Sequence, residues 1–159
     1  MDYVIRDASV ADMPQVLKLI EELAVYENEA DAVELNVENL VADGFGANRK
    51  FHCFVADKQG VILGLALVYP RYSTWKGTVI HLEDLIVTER MRGSGLGTAL
   101  LNTVVKYGHD LGVKRISWEV LDWNEPAIHF YESKGANVMR DWDVVHLDEQ
   151  GMRSYLDSI

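Results

Sequence analysis

The chain is poor in cysteine, in proline and in long apolar runs. Of its 159 residues one is cysteine, Cys53, and three are proline. A lone cysteine excludes an internal disulfide framework and leaves a thiolate metal site short of the about four ligands that zinc takes. No apolar run approaches the roughly 20 residues that span a bilayer, and residues 1–6 resemble a strand rather than a basic, apolar leader. These absences predict a cytoplasmic protein with no membrane partner and no metal cofactor.

Basic residues are also scarce. Lysine and arginine total 15 against 25 aspartates and glutamates, which gives a formal net charge of −10. A nucleic-acid partner is disfavoured because its phosphates require a basic face, whereas small cationic partners are favoured. Because 48% of the residues are hydrophobic and no linker, repeat or low-complexity tract interrupts the chain, residues 1–159 are predicted to form a single domain.

The hydrophobic periodicity predicts an α+β protein. Helices are expected from the Ser9 and Asp12 capping pair to Tyr26, from Asn36 to Gly44, and over 95–111 and 124–135. The predicted strands cover residues 3–6, 51–56, 61–69, 78–87, 115–121, 138–140 and 142–147. Residues 57–60 read as a hairpin turn, and the strand-helix-strand order over 78–121 is a crossover unit with parallel strands. We therefore expect three layers, α/β/α, around a mixed, mostly antiparallel sheet with a central parallel crossover pair.

The segment 92–98, Arg-Gly-Ser-Gly-Leu-Gly-Thr, is the strongest motif. Three glycines in five residues let the backbone approach a ligand, and the start of a helix favours an anion there. Gly97 is followed by threonine instead of the lysine of a P-loop, and it comes one position too early for G-x-G-x-x-G. The remaining pattern, R-x-x-G-x-G after a strand, resembles the pyrophosphate-binding motif of the GCN5-related N-acetyltransferase (GNAT) superfamily.

Four segments narrow this resemblance. They are 22–27 (ELAVYE), 82–87 (LEDLIV), the glycine segment, and 123–136 (WNEPAIHFYESKGA). Together they are similar to the diamine (spermidine/spermine) N-acetyltransferases and the related thialysine acetyltransferases. The resemblance implies acetyl-CoA as co-substrate and a homodimer.

The resemblance also assigns the acetyl-CoA site. It implies that the main chain of Leu85, Ile86 and Val87 pairs with the pantetheine arm, an interaction of the β-augmentation type. The pyrophosphate is then held at Arg92, Gly93, Ser94, Gly95, Leu96, Gly97 and Thr98. The far side is lined by Asn124, Glu125, Pro126, Ala127 and Tyr131.

Acetyl transfer to an amine requires removal of a proton, because an alkyl ammonium has a pKa of about 10.4. By resemblance Glu83 is the candidate base, acting directly or through a water, provided that burial raises its pKa. Otherwise Glu83 only holds the ammonium group. His81, two residues earlier on the same strand face, is the rival base or a packed strand residue. Tyr131 is the candidate general acid for the departing thiolate, or an aromatic residue packing beside Phe130.

The family's acceptor segments match Tyr26, Glu27, Ser117, Trp118 and Glu119, together with Glu83. Carboxylates and an aromatic face suit a flexible cation. Asp84 points away from Glu83 on a regular strand, so both serve one pocket only if a bulge intervenes.

The predicted function is direct acetyl transfer to a small primary amine: a polyamine, a diamine or an ω-amino amino acid such as thialysine. A protein or peptide N-acetyltransferase and a non-catalytic CoA-binding sensor module are the alternatives.

Overall fold

A mixed five-stranded sheet is the framework of the first of two compact units, Met1–Glu119. The computed structural model describes residues 2–159. The strands are β1 (Val4–Asp7), β2 (His52–Lys58), β3 (Val61–Ser73), β4 (Gly77–Val87) and β5 (Ile116–Ser117). They are hydrogen-bonded in chain order, antiparallel from β1 to β4 and parallel between β4 and β5. This confirms the mostly antiparallel sheet with one parallel crossover pair.

Helices cover both faces of this sheet, as the three-layer prediction requires. Helices α1 (Met13–Tyr26) and α2 (Val37–Phe45) supply Met13, Val16, Leu19 and Leu40 to a core shared with Cys53, Val55, Leu65 and Ile86. Helix α3 (Leu96–Asp110) lies on the other face, where the Tyr107 ring contacts the rings of His52 and Phe54. The alternation of His52 and Phe54 with Cys53 and Val55 thus sends successive β2 side chains to opposite layers.

The helix caps and the hairpin turn form at the residues that the sequence predicts. The Asp12 carboxylate accepts a hydrogen bond from the Ser9 N–H at 2.7 Å, and Asn36 caps α2 by accepting one from the Asn39 N–H at 2.8 Å. Gln59 and Gly60 join β2 to β3 with φ angles of 52° and 85°, which is the geometry of a two-residue hairpin turn. The first two helix starts and the hairpin are therefore confirmed.

The second unit, Val120–Ile159, contains α4 (Glu125–Ser133) and α5 (Glu149–Asp157). The Asn124 side chain caps α4 by accepting from the Ala127 N–H, and Gly135 follows the helix with a φ of 87°. These features confirm the predicted fourth helix. Helix α5 was not predicted; its N-terminus is capped by Asp148, whose carboxylate accepts from the Gly151 N–H at 2.7 Å.

Two strand predictions are wrong. Within residues 2–159 neither 138–140 nor 142–147 forms a strand, and β5 covers two residues of the expected 115–121. The parallel pair consequently lies at the sheet edge instead of its centre. Alternating apolar residues predict a strand, but a strand also needs a neighbour to take its backbone hydrogen bonds, and Val144 and Val145 remain exposed. Leu111, where the predicted third helix ends, follows the last residue of α3 and is exposed.

No helix within residues 2–159 has both the length and the apolar character needed to cross a membrane.

Candidate active site

Strand β4 carries a bulge at Glu83. Val68 of β3 pairs with Leu82, and the next β3 pair joins Leu67 to Asp84, so Glu83 is the extra residue. On a regular strand Glu83 and Asp84 would point to opposite faces. With the bulge, both side chains line one pocket. The sequence allows this arrangement only where a bulge intervenes.

This pocket is the candidate acceptor site, called the acceptor pocket below; it has a volume of about 330 Å³ and is lined by carboxylates and by apolar side chains. Its carboxylates come from the chain before α2, from α2 and from β4: Glu34, Asp43, Glu83 and Asp84. Its larger apolar residues are Ile20, Leu35, Leu40, Phe51 and Leu67. The combination suits an ammonium group attached to an aliphatic chain, because charges and methylene groups both find a matching surface. Glu34, Asp43 and Phe51 were missed by the sequence analysis, since nothing in their spacing relates them to β4.

The carboxylates of this region influence one another. Burial raises the pKa of Asp84 to about 6, and the charges of Glu83 and Glu27 add to the effect. The pKa of Glu27 is itself raised, first by burial and then by the charge of Glu29. Glu27 does not line the pocket, but its charge acts on Asp84, and its acceptor role stays a prediction. A bound cation would favour the ionised forms of Glu27 and Asp84.

His81 is the buried polar residue beside Glu83. Its Nε2 atom lies 3.6 Å from Glu83 Oε2, and its Nδ1 atom lies 3.2 Å from Ser117 Oγ, which is within hydrogen-bonding distance. His81 is 6% exposed, whereas the Glu83 side chain is 52% exposed. Burial lowers the pKa of His81, while the charge of Glu83 opposes that shift. The predicted base role of Glu83 depended on burial. That burial is found at His81 and not at Glu83.

Tyr69 and the β5 segment complete the surroundings of Glu83. The Tyr69 hydroxyl lies within the electrostatic influence of Glu83, and the Tyr69 ring centroid lies 5.2 Å from that of His81. Burial, followed by the charge of Glu83, raises the pKa of the Tyr69 hydroxyl. Glu119 exerts a smaller charge effect on His81, and Trp118 lies half-buried next to Ser117. Ser117 and Glu119 therefore both act on His81, which lies beside Glu83. Tyr69 was missed because only the strand register places it opposite His81.

Tyr26 lies beside the glycine segment. The Arg92 guanidinium carbon is 4.5 Å from the centroid of the Tyr26 ring, a cation–π contact. Both residues line a second pocket of about 300 Å³ with Glu22, Val25 and Glu89. The Glu22 carboxylate accepts hydrogen bonds from the Glu89 N–H at 2.7 Å and from the Thr88 hydroxyl at 3.2 Å. The end of α1 therefore fixes the chain that leads into the glycine segment.

The glycine segment has the backbone expected of an anion-binding loop. Gly93 and Gly95 have φ angles of 74° and 86°, a left-handed conformation that favours glycine, and α3 begins at the next residue, Leu96. The first amides of a helix lack partners within that helix and point toward an anion at its start. The segment 92–98 thus fits the pyrophosphate of acetyl-CoA.

The neighbouring part of β4 fits the pantetheine arm. Strand β5 pairs only with Ile80 and His81, and no strand among residues 2–159 pairs with the same edge of β4 at 85–87. Such an edge can accept an extended, amide-bearing ligand as if it were another strand. Leu85, Ile86 and Val87 are therefore suited to the predicted contact.

The remaining predicted site residues belong to the second unit. Asn124, Glu125, Pro126 and Ala127 form the capped start of α4. Tyr131 lies one helical turn further along and is half-buried, with its ring centroid 5.3 Å from that of Phe130.

Comparison with known proteins identifies the family. A model of the Acetyltransferase (GNAT) family matches residues 14–136, and the chain belongs to this family. It is 37% identical to the thialysine N-epsilon-acetyltransferase of Bos taurus over 94% of this chain and 95% of the bovine protein. It is 36% identical to the human spermidine/spermine N(1)-acetyltransferase-like protein 1, over 99% of this chain and 24% of the human protein.

A solved structure shows the same fold. An integron cassette protein from the mobile metagenome of V. cholerae superimposes with a TM-score of 0.80 over 98% of each chain at 20% identity. The family and the relatives together define this protein as an N-acetyltransferase with acetyl-CoA as co-substrate.

Proposed function

We propose that the protein transfers the acetyl group of acetyl-CoA directly to a small primary amine, and that a diamine or polyamine is preferred to an amino acid such as thialysine. The observation that carries this proposal is the acceptor pocket, in which four carboxylates stand among apolar side chains. Among the described residues that line it, none is lysine, arginine or histidine. A second ammonium group finds further carboxylates there, whereas the α-carboxylate of an amino acid finds no positive partner in that lining.

The residues divide the work of the reaction. The neutral amine nitrogen attacks the thioester carbonyl carbon, so that a C–N bond forms and the C–S bond breaks. The thiolate takes a proton from its acid, and the second proton that the nitrogen loses as the amide forms restores that acid. Glu83, at the bulge, holds the ammonium group that must lose a proton. Tyr131 is the proposed proton donor to the thiolate, with a phenol pKa of about 10 against about 8.5 for a thiol.

The proposed donor site uses two segments of the first unit. Leu85, Ile86 and Val87 pair with the pantetheine arm, and the segment 92–98 holds the pyrophosphate. The role that the resemblance implies for residues 124–127 stays a prediction. The homodimer and the cytoplasmic location implied by the resemblance stay predictions.

Thiol release from acetyl-CoA tests the proposal across spermidine, putrescine, thialysine, lysine and a lysine peptide. We expect kcat/KM to be highest for spermidine or putrescine. Absence of thiol release with every amine would overturn the proposed activity. Release with the peptide alone would favour a protein acetyltransferase. Equal or better use of thialysine would overturn the diamine preference.

A pair of variants on α2 links the preference to the acceptor pocket. Asp43→Asn removes one pocket charge and should raise KM for spermidine several-fold, with a smaller effect on lysine. Glu38→Gln removes an exposed charge that does not line the pocket and should leave both values unchanged. Equal effects of the two substitutions would mean that net charge, not the pocket, attracts the amine.

A further inference from the structure

The bulge places His81 on the same face of β4 as the acceptor pocket. Tyr69 pairs with His81, and Leu67, two residues earlier and hence on the same face of β3, pairs with Asp84. Leu67 and Asp84 both line the pocket. His81 and Asp84 are three residues apart, so they share this face only because the bulge adds a residue between them.

Each ring nitrogen of His81 has one polar neighbour. Nδ1 is 3.2 Å from Ser117 Oγ, whereas Nε2 is 3.6 Å from Glu83 Oε2, beyond the usual length of an N–H···O bond. The Ser117 hydroxyl can accept a hydrogen bond from Nδ1–H or donate one to Nδ1, so this contact is compatible with a proton on Nδ1. With the proton on Nδ1, the lone pair of Nε2 lies beside a carboxylate oxygen, and an ammonium nitrogen about 2.8 to 3.0 Å from both atoms could donate to each of them.

We propose that His81 Nε2 is the proton acceptor of the acetyl-transfer reaction and takes its proton directly from the ammonium group that Glu83 holds. One N–H bond of the ammonium breaks, the proton forms a bond with Nε2, and the nitrogen lone pair so released attacks the thioester carbonyl. This inference rests on the proposed function. Glu83 then acts as the ammonium ligand and as the counter-charge of the imidazolium, and Ser117 positions the ring.

The charges around His81 suit a base that works near neutral pH. Burial lowers the pKa of His81, and this keeps the imidazole unprotonated and able to accept a proton. Glu83 on β4 and Glu119 after β5 favour the imidazolium, whereas Arg71 on β3 opposes it. The ring of Tyr69 on β3 faces His81, with 5.2 Å between the two ring centroids. The imidazolium formed after proton transfer is thus stabilised by the charges of Glu83 and Glu119.

His81→Gln separates proton transfer from hydrogen bonding, because the glutamine amide can donate to Glu83 but cannot accept a proton at neutral pH. With the best amine of the panel, we expect kcat/KM at pH 7 to fall by about 100-fold. The loss should shrink by about tenfold per pH unit up to pH 9, because more of the amine is then already neutral. A constant loss at all pH values, or a wild-type profile, would overturn the proposal.

His52→Gln is the matched control. His52 also lies in the sheet and pairs with a carboxylate, at 3.0 Å from Asp7, but it stacks on Tyr107 of α3. This variant should keep the wild-type rate and pH profile. Ser117→Ala should lower kcat/KM about fivefold, which corresponds to one hydrogen bond of about 1 kcal/mol.

Nitrogen NMR of the wild-type imidazole tests the same inference without turnover and without a variant that must fold. We expect the Nδ1–H tautomer at pH 7 and a titration midpoint below the ordinary value of about 6.5. A predominant Nε2–H tautomer would overturn the role of His81. Lack of thiol release by the wild-type protein would instead overturn the proposed function, so the two failures are distinguishable.

Discussion

The guanidinium of Arg92 lies over the ring of Tyr26, with 4.5 Å between the guanidinium carbon and the ring centroid. The contact joins the last residue of α1 to the first residue of the glycine segment. Glu22, one turn earlier on α1, binds the chain at Glu89. Tyr26 therefore contacts the segment proposed to hold the pyrophosphate, and the acceptor role that the resemblance implies for it stays a prediction.

Tyr26→Leu should weaken acetyl-CoA binding more than amine binding. Loss of a partly exposed cation–π contact of about 0.5 to 1 kcal/mol predicts a rise of about two- to fivefold in KM for acetyl-CoA. Tyr26→Phe keeps the ring and should retain more of this affinity. Steady-state kinetics with each substrate varied in turn checks the expectation. A rise confined to KM for the amine would return Tyr26 to the acceptor site.

Asp84→Asn should stabilise the fold at alkaline pH. Burial, with the charges of Glu83 and Glu27, raises the pKa of Asp84 from 3.8 to about 6. A raised pKa means that the stability contribution is complete below about pH 4 and is lost as the pH rises through 6. Urea unfolding should show the variant more stable than wild type by about 2 to 3 kcal/mol at pH 8, with the difference disappearing near pH 4.

Asp31→Asn, which removes an exposed carboxylate, is the control for this measurement. It should leave the pH dependence of unfolding unchanged. A destabilised Asp84→Asn protein at pH 8 would show that the ionised carboxylate is better solvated in the pocket than its burial indicates.

Asp12→Asn should destabilise the fold in the opposite pH range. Asp12 binds both terminal nitrogens of Arg6, at 2.8 and 2.9 Å, and this lowers the pKa of Asp12 to about 2. A lowered pKa gives stability that is present above about pH 4 and is lost as the pH falls through 2. We expect a loss of about 2 kcal/mol at pH 7 and roughly half of that at pH 3, measured by urea unfolding.

Asp7→Asn provides the comparison, because its carboxylate is exposed and pairs with His52. An exposed pair contributes about 0 to 1 kcal/mol. Equal destabilisation by the two substitutions would contradict the larger stabilising contribution expected of the Arg6 and Asp12 pair.

Gly95→Ala and Gly97→Ala should change stability in opposite directions. Gly95 precedes α3 with a φ of 86°, so a side chain there costs about 1 to 2 kcal/mol although a Cβ atom would meet nothing within 4 Å. Gly97 lies inside α3, where a Cβ atom would be 3.7 Å from Val87 Cγ2, an ordinary contact. Alanine should therefore stabilise the helix at this position by up to about 1 kcal/mol. Thermal unfolding without ligand checks both values, and a stabilised Gly95→Ala would contradict the left-handed geometry.

The sequence predicted those parts of the site that depend on local chemistry. Glycine spacing identified the segment 92–98, and the caps at Asn36 and Asn124 located α2 and α4. Each of these signals spans only a few residues, and the structure confirms the helix starts.

The acceptor pocket and the end of the chain depended on non-local information. Whether Glu83 and Asp84 share a face is decided by the pairing of β4 with β3, which periodicity does not reveal. Glu34 and Asp43 reach the pocket through the packing of α2. The strands expected at 138–147 failed for a related reason, since alternation does not identify a partner. Helix α5 was missed although its apolar residues Met152, Tyr155 and Leu156 recur at helical spacing, and none of its residues is buried.

The bulge at Glu83 makes the length of β4 as important as its composition. Ahead of it His81 lies level with Tyr69, and beyond it Ile86 enters the core beneath α1. Deletion of position 83 would restore the regular pleat and turn either His81 or Asp84 toward α3. This strand should therefore accept many substitutions during divergence but no single-residue insertion or deletion, and an alignment gap there would mark a protein with a different acceptor.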